Sequence, residues 1–145
     1  MAEPILSVED RFAILDLIGR LFWALDTGDA KGIHDCFAPD GTMIQASGGS
    51  YTGEALKKWT EDAVALPSAR GRQHVAHPLY FFPKGDAWVV RSYLNILHSD
   101  PKTGEKKIRN MSYSEDTVVK TGQGWRIRER RNGLWEPDKQ PWVGP

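Results

Sequence analysis

Residues 73–82, QHVAHPLYFF, and residues 87–98, AWVVRSYLNILH, decide the fold of this chain. From Arg70 onward the hydrophobic period is close to two, which indicates β-strands, and a turn rich in Pro, Gly and Asp separates the two stretches. Two further strands are predicted at residues 106–120 and 125–134, each after a short connection. Since short connections join antiparallel strands, we predict an antiparallel meander of four long strands.

Three helices are predicted before this sheet. The first begins at Ser7, where a hydroxyl followed three residues later by the carboxylate of Asp10 is typical of a capping box. It ends at Gly28, and its apolar residues recur at helical spacing: Ile14, Leu17, Ile18, Leu21, Phe22 and Leu25. Asp29 caps a second, short helix, which a turn at residues 38–41 ends. After a small hairpin over residues 42–50, a third helix is predicted from 54 to about 66.

The composition limits the class of protein. The chain has 145 residues, with 19 Lys+Arg against 19 Asp+Glu, 40% hydrophobic residues and 26% charged residues. These values are typical of a single globular domain, here residues 1–145. Zero net charge removes the electrostatic reason to expect nucleic acid as a partner. No apolar run approaches the roughly 20 residues of a membrane span, and residues 1–7 do not resemble a signal peptide, so we expect a cytoplasmic protein with no membrane partner.

Helices that come first and strands that follow are the order of an α+β domain. One face of a long antiparallel sheet has to be covered, and the predicted helices are the available cover. If the sheet curves around the first helix, a conical cavity with a largely apolar wall forms between them, and function is expected there. Because three prolines lie within residues 136–145, an extended C-terminal tail is expected from about residue 136.

Four local motifs carry a resemblance to a known family. They are ALDTGD at 24–29 with CFAPDG at 36–41, YTG at 51–53, HVAHP at 74–78 with GDA at 85–87, and GWRI at 124–127 with ERR at 129–131. Together they span nearly the whole chain. In this order they resemble the SnoaL-like branch of the nuclear-transport-factor-2-like superfamily, which includes scytalone dehydratase, bile-acid dehydratase and a lindane dehydrochlorinase. The resemblance implies a cone-shaped α+β barrel, a long curved antiparallel sheet wrapped around N-terminal helices.

The resemblance also implies a catalytic Asp–His pair. In enzymatic members the Asp lies near the end of the first helix and the His lies on the first long strand. Asp26 and His74 match those positions. Bile-acid dehydratases carry a catalytic Tyr five residues before the Asp, where this chain has Leu21, so the resemblance assigns no general acid.

These two residue types suit proton abstraction. A neutral imidazole accepts a proton near pH 7, and a carboxylate bonded to its other nitrogen fixes the tautomer and stabilises the imidazolium. The alternative for Asp26 is a local turn at the helix end, although an acid there opposes the helix dipole. His77 is expected on the opposite strand face from His74, which argues against a shared metal ion. We predict no metal and no cofactor.

Six Trp, four Tyr and five Phe exceed what a small core requires. We expect Trp23, Tyr51 and Tyr93 near the cavity, with core packing as the alternative for each. Other rings are expected to pack in the core, among them Phe12, Phe37 and Trp125.

The last strand supplies further candidates for substrate binding. Arg130, Asn132 and Leu134 share one face of this strand, and we expect that face to line the cavity. Arg130 would then meet an anionic or phenolic oxygen. The alternative for Arg130 is a solvated charge.

These observations predict a small cofactor-independent lyase. His74 acts as general base and Asp26 orients it, so that water or another small group leaves a hydrophobic, aromatic substrate; the same proton abstraction extends to C–C cleavage. One alternative is an isomerase or cyclase that uses the same base. The other is a non-catalytic ligand-binding or assembly subunit, because a fold does not define a function.

An apolar outer face of the sheet predicts a homo-oligomer. If the strand phases are regular, this face carries six residues: Val75, Leu79, Phe81, Trp88, Val90 and Leu94. The dehydratases of the family are trimers, so the resemblance favours a trimer over a dimer.

Overall fold

The computed structural model describes residues 4–138, apart from the side chain of Leu79. The elements, in chain order, are α1 (Val8–Thr27), α2 (Ala30–Asp35), β1 (Phe37–Ile44), β2 (Ser50–Thr52), α3 (Glu54–Ala65), a 3₁₀ turn (Pro67–Ala69), β3 (Arg72–Lys84), β4 (Ala87–Ser99), β5 (Lys106–Thr121) and β6 (Gly124–Leu134). The three predicted helices and four long strands are confirmed. From residue 139 onward, the predicted tail lies outside the described residues.

The first helix begins and ends at its predicted signals. The Ser7 hydroxyl accepts a hydrogen bond from the backbone N–H of Asp10 at 3.0 Å. Gly28 ends the helix with a left-handed φ of 79°, a conformation that costs glycine least. The predicted apolar stripe of α1 is buried. It packs against side chains from β4, β5 and β6, so the core lies between α1 and the sheet.

The six strands form one sheet in the order β2-β1-β6-β5-β4-β3. Strands β3 to β6 make the predicted antiparallel meander, whereas β1 pairs in parallel with β6. The sheet curves but does not close. The predicted turn at residues 38–41 is wrong, because these residues lie within β1. The β1–β6 register shifts between Phe37 and Thr42, so the turn-like composition produces an irregularity in a strand.

The prediction for the outer face of the sheet is wrong at four positions. Phe81, Trp88, Val90 and Leu94 pack with the core on the inner face. A register shift between Pro78 and Tyr80 changes the alternation of side chains along β3. In β4, the even-numbered positions are the inner ones. Val75 is exposed as predicted.

Some predicted packing roles of the aromatic residues are confirmed. Phe37 and Trp125 are buried in the core cluster. Phe12 is 67% exposed, so its predicted packing is wrong. It lies on the side of α1 away from the buried stripe. On the outer face of the sheet, the rings of Tyr93 and Tyr113 both contact Trp135, edge to face.

Candidate active site

Asp26 and His74 are in direct contact. Asp26 lies in the last turn of α1, and its Oδ2 accepts a hydrogen bond from the backbone N–H of His74 at 2.8 Å. Its Oδ1 lies 2.6 Å from Nδ1 of the His74 ring. We assign the ring proton to Nδ1, where the carboxylate accepts it. Nε2 of the neutral ring is then free to accept a proton.

The position of Asp26 has a structural reason as well. β3 is an edge strand, and the backbone N–H groups on its open side need acceptors. Asp26 satisfies one of these groups and thereby ties the end of α1 to β3. The bond offsets the unfavourable position of a carboxylate at a helix C-terminus.

The surroundings of His74 keep its ring neutral. The ring stacks on Phe22, with centroids 5.3 Å apart and planes 19° apart, and the side chain is 8% exposed. Burial lowers the pKa of His74 below its ordinary value near 6.5, while the hydrogen bond and the charge of Asp26 oppose this shift. The ring is therefore available as a base at neutral pH.

His74 lines a cavity of about 630 Å³ between the helices and the inner face of the sheet. This volume suits a small-molecule ligand. Apolar side chains form much of its wall, including Leu21, Phe22, Leu25, Met43, Trp59 and Leu94. The wall also carries a few polar groups, which gives the composition expected of a site for a largely apolar substrate.

Arg130 lines the same cavity, and Asp116 holds it in place. Nη1 of Arg130 donates to both carboxylate oxygens of Asp116 at 2.7 Å, and the two side chains are 3% and 0% exposed. Burial raises the pKa of Asp116, and Arg130 opposes that shift. The guanidinium carbon lies 4.8 Å from the centre of the Phe22 ring. Nη2 is buried and has no hydrogen-bond partner among the residues that the structure describes.

The structure brings four of the six predicted substrate-binding residues to this cavity. Arg130, Asn132 and Leu134 of β6 line it, and so does Tyr51. The Tyr51 hydroxyl donates to Oε1 of Gln45 at 3.4 Å, and its ring stacks on Trp59.

Trp23 and Tyr93 do not line the cavity. Trp23 is 74% exposed and borders a shallow depression outside it, between α1 and β3. Tyr93 is 48% exposed and contacts Trp135 on the outer face of the sheet. Its neighbour Leu94 points into the core, so strand alternation turns Tyr93 outward.

Two residues of the site were not predicted. Arg72 lies in the cavity wall two positions before His74 on β3, and strand alternation alone was a signal for it. Asp116 is not among the predicted site residues. Its cross-strand position opposite Arg130 follows from the β5–β6 register, which the sequence does not display.

Among residues 4–138, no group of three or more His, Cys, Asp or Glu side chains is arranged to hold a metal ion. His77 is exposed and pairs with Tyr93 across the β3–β4 ladder, away from His74. In the same part of the chain, none of the helices has the length and apolar character needed to cross a membrane.

The fold and the site define a class: a small α+β domain in which a histidine, bonded to an aspartate, lies in the wall of a largely apolar cavity. Residues 6–131 match the SnoaL-like domain family, and the chain belongs to this family. No curated protein matches it in sequence. The family includes dehydratases, cyclases and isomerases, which is consistent with an enzyme that acts on a small molecule.

Solved structures share this fold. An NTF2-like protein with a cystatin-like fold from Novosphingobium aromaticivorans is 26% identical, with a TM-score of 0.78 over 90% of this chain and 84% of that one. A protein of unknown function from Nostoc punctiforme is 22% identical, with a TM-score of 0.78 over 94% and 98% of the two chains. A scytalone dehydratase candidate from Novosphingobium aromaticivorans is 23% identical, with a TM-score of 0.75 over 89% and 86%.

Proposed function

We propose that this protein is a cofactor-independent lyase that removes water or another small group from a hydrophobic, aromatic substrate. The contact between Asp26 and His74 carries this proposal, because it leaves Nε2 of a neutral, buried imidazole free to take a proton. The same proton abstraction extends to substrates in which a C–C bond breaks.

In the proposed reaction, Nε2 of His74 takes a proton from carbon next to the leaving group. Asp26 stabilises the imidazolium that forms, and the electron pair of the broken C–H bond expels the leaving group. The free Nη2 of Arg130 donates to the substrate oxygen on which negative charge develops. In a largely apolar cavity, such an interaction is stronger than in water.

The leaving group also needs a proton. Leu21 occupies the position of the catalytic Tyr of bile-acid dehydratases and has no proton to give. We propose that the hydroxyl of Tyr51, on the cavity wall, donates instead, and that its long bond to Gln45 is exchanged for one to the leaving group. Asn132 and Leu134 complete the substrate-binding wall on β6, with Asn132 accepting a hydrogen bond through its unpartnered Oδ1.

An isomerase or cyclase is the second candidate. One observation favours it: Leu21 occupies the position at which bile-acid dehydratases have their catalytic Tyr. A single base that returns its proton to another carbon needs no separate acid. Mass spectrometry of the product distinguishes the two, because a lyase product loses the mass of the small group and an isomer does not.

We also propose that the protein is a cytoplasmic homotrimer. The rings of Tyr93 and Trp135 are exposed on the outer face of the sheet, beside the half-buried ring of Tyr113. They support self-association, since exposed aromatic surface is typical of subunit contacts. Light scattering of the purified chain measures its mass. A monomer contradicts this part of the proposal.

The main experiment is a screen of aromatic β-hydroxy ketones and β-hydroxy acids, followed by ultraviolet absorbance of the conjugated alkene. His74→Gln and Asp26→Asn keep the cavity shape and are expected to lower kcat at least about 100-fold, because general-base catalysis contributes about that much. His77→Gln, which changes an exposed histidine on the outer face, is the matched control and keeps full activity. Full turnover by both His74→Ala and Asp26→Ala on an identified substrate overturns the proposal.

A further inference from the structure

Arg72 and His74 lie two residues apart on β3, and both side chains line the cavity. Alternate residues of a strand point to the same face, and two residues span about 7 Å along it. A group bound at Arg72 therefore lies beside the position at which His74 meets the substrate.

The guanidinium of Arg72 has unused hydrogen-bonding capacity. Nη2 donates to the backbone carbonyl of Leu25 at 3.2 Å, which anchors the side chain at the end of α1. Nε is buried and has no partner within the described part of the chain. The carboxylate of Asp26 accepts bonds from the backbone and ring of His74, and among the described residues no hydrogen bond joins it to Arg72.

Arg72 differs in this respect from the other cations of the cavity. Lys58 pairs with Asp62 at 2.9 Å and Arg130 with Asp116 at 2.7 Å. Across residues 4–138, no carboxylate lies within ion-pair distance of Arg72. Burial lowers the pKa of Arg72, and the charge of Asp26 partly opposes this. A partly buried cation without a counterion has lost hydration that a single bond to the Leu25 carbonyl replaces only in part.

We propose that Arg72 binds a carboxylate of the substrate, so that the cavity takes an aromatic carboxylic acid. A carboxylate matches the planar edge of a guanidinium, accepts charge-assisted hydrogen bonds and supplies the missing counterion. This inference deepens the proposed function, since it names the substrate class of the same cavity.

The bound carboxylate also assists the base. At rest the charges of Asp26 and Arg72 have opposite signs and His74 is neutral. Proton transfer makes His74 an imidazolium, so this group of three side chains becomes net positive. A carboxylate held at Arg72 offsets that charge, which favours the protonated ring and raises the pKa of His74 when the acid is bound.

The test uses a matched pair of probes, 2-naphthoate and 2-naphthamide, which differ in charge and share their rings. Calorimetry with the wild-type chain is expected to give a dissociation constant at least about tenfold lower for 2-naphthoate. Arg72→Met is expected to bind the two probes with equal affinity. Arg109→Met is the matched control: Arg109 is exposed, donates to the Ser68 carbonyl and does not line the cavity. It keeps the preference for the acid.

An NMR titration of the wild-type His74 ring gives a readout that does not depend on folding of the variant. Its pKa is expected to rise when 2-naphthoate is bound and to stay unchanged with 2-naphthamide. Equal affinity of the wild-type chain for both probes, failure of 2-naphthoate to bind, or an acid preference retained in Arg72→Met each overturns the proposal.

The failure of the proposed function is distinguishable from failure of this inference. His74→Gln removes the base and leaves Arg72, so it keeps the preference for 2-naphthoate even if the protein is not a lyase. Loss of turnover in His74→Gln with no acid preference in the wild-type chain overturns the inference and leaves the lyase intact.

Discussion

The carboxylate of Asp26 bonds to both the backbone and the ring of His74, a residue 48 positions away in the chain. One oxygen fixes the strand and the other fixes the imidazole, so the orientation of the ring is tied to the position of β3. The two bonds link the end of the first helix to the edge of the sheet at the point where the cavity has its candidate base.

The Asp26→Asn substitution is expected to lower the pKa of His74 further below 6.5. Burial lowers this pKa in the wild-type chain, and the hydrogen bond and charge of Asp26 oppose the effect, so removing the charge removes the opposition. NMR titration of the ring Cε1–H signal measures it. The signal of His77, which is exposed and lies on the outer face away from Asp26, is the internal control. A rise in the pKa of His74 contradicts the assignment of Asp26 as its partner.

Burial of His74 is expected to make the fold acid-sensitive. Above about pH 6.5 the ring is neutral in both folded and unfolded chains and has no effect. As the pH falls below that value, the unfolded chain takes up the proton first, because the folded-state pKa is lower. The free energy of unfolding therefore decreases.

His74→Gln removes this proton uptake. Urea denaturation at about pH 7.5 and about pH 5.5 is expected to show a smaller loss of stability for His74→Gln than for the wild-type chain. Equal losses in the two chains contradict the depressed pKa. His77→Gln, which replaces an exposed histidine on the outer face of the sheet, is the matched control.

Asp116→Ala is expected to lower the free energy of unfolding by about 3–5 kcal/mol, since it leaves Arg130 buried without its counterion. Asp62→Ala breaks the exposed pair with Lys58 and is expected to have a much smaller effect, because water screens that pair. Urea denaturation followed by circular dichroism compares them. The double variant Asp116→Ala with Arg130→Met removes both charges and is expected to be more stable than Asp116→Ala alone. Similar small effects of the two Asp variants argue against a buried ion pair.

Gly71→Ala is expected to destabilise the start of β3. Gly71 has a φ of 76°, and a Cβ there would overlap the backbone carbonyl oxygen of Ser99. Gly104 has a similar φ of 74° with open space around it, so Gly104→Ala costs only backbone strain, about 1–2 kcal/mol. Gly71→Ala is expected to cost at least about 1 kcal/mol more and to shift the amide signals of Arg72 and His74. Equal melting temperatures for the two variants contradict the predicted overlap between a side chain at position 71 and the Ser99 carbonyl.

Much of the fold follows from local spacing. The cap at Ser7, the left-handed end at Gly28 and the two-residue period after Arg70 place the helix and the strands correctly, because each signal acts on residues close in sequence. The parallel pairing of β1 with β6 does not follow, since nothing local in residues 38–41 reveals a partner about 90 residues away.

The residues of the candidate site were likewise predictable from the sequence only in part. Asp26 and His74 were found through a resemblance, and Arg130, Asn132 and Leu134 through strand alternation within one regular strand. Tyr93 was placed on the wrong face, because the inner face of β4 is defined by packing against α1 and not by any signal in β4 itself.

The helix ends and the long strands of this protein can thus be predicted from its residues, since they depend on φ, caps and periodicity over a few positions. The wall of the cavity is not readable in that way. A register shift between Pro78 and Tyr80 reverses which side chains of β3 face inward. The buried pair of Arg130 and Asp116 depends on the register between β5 and β6, which exists only once these strands have paired.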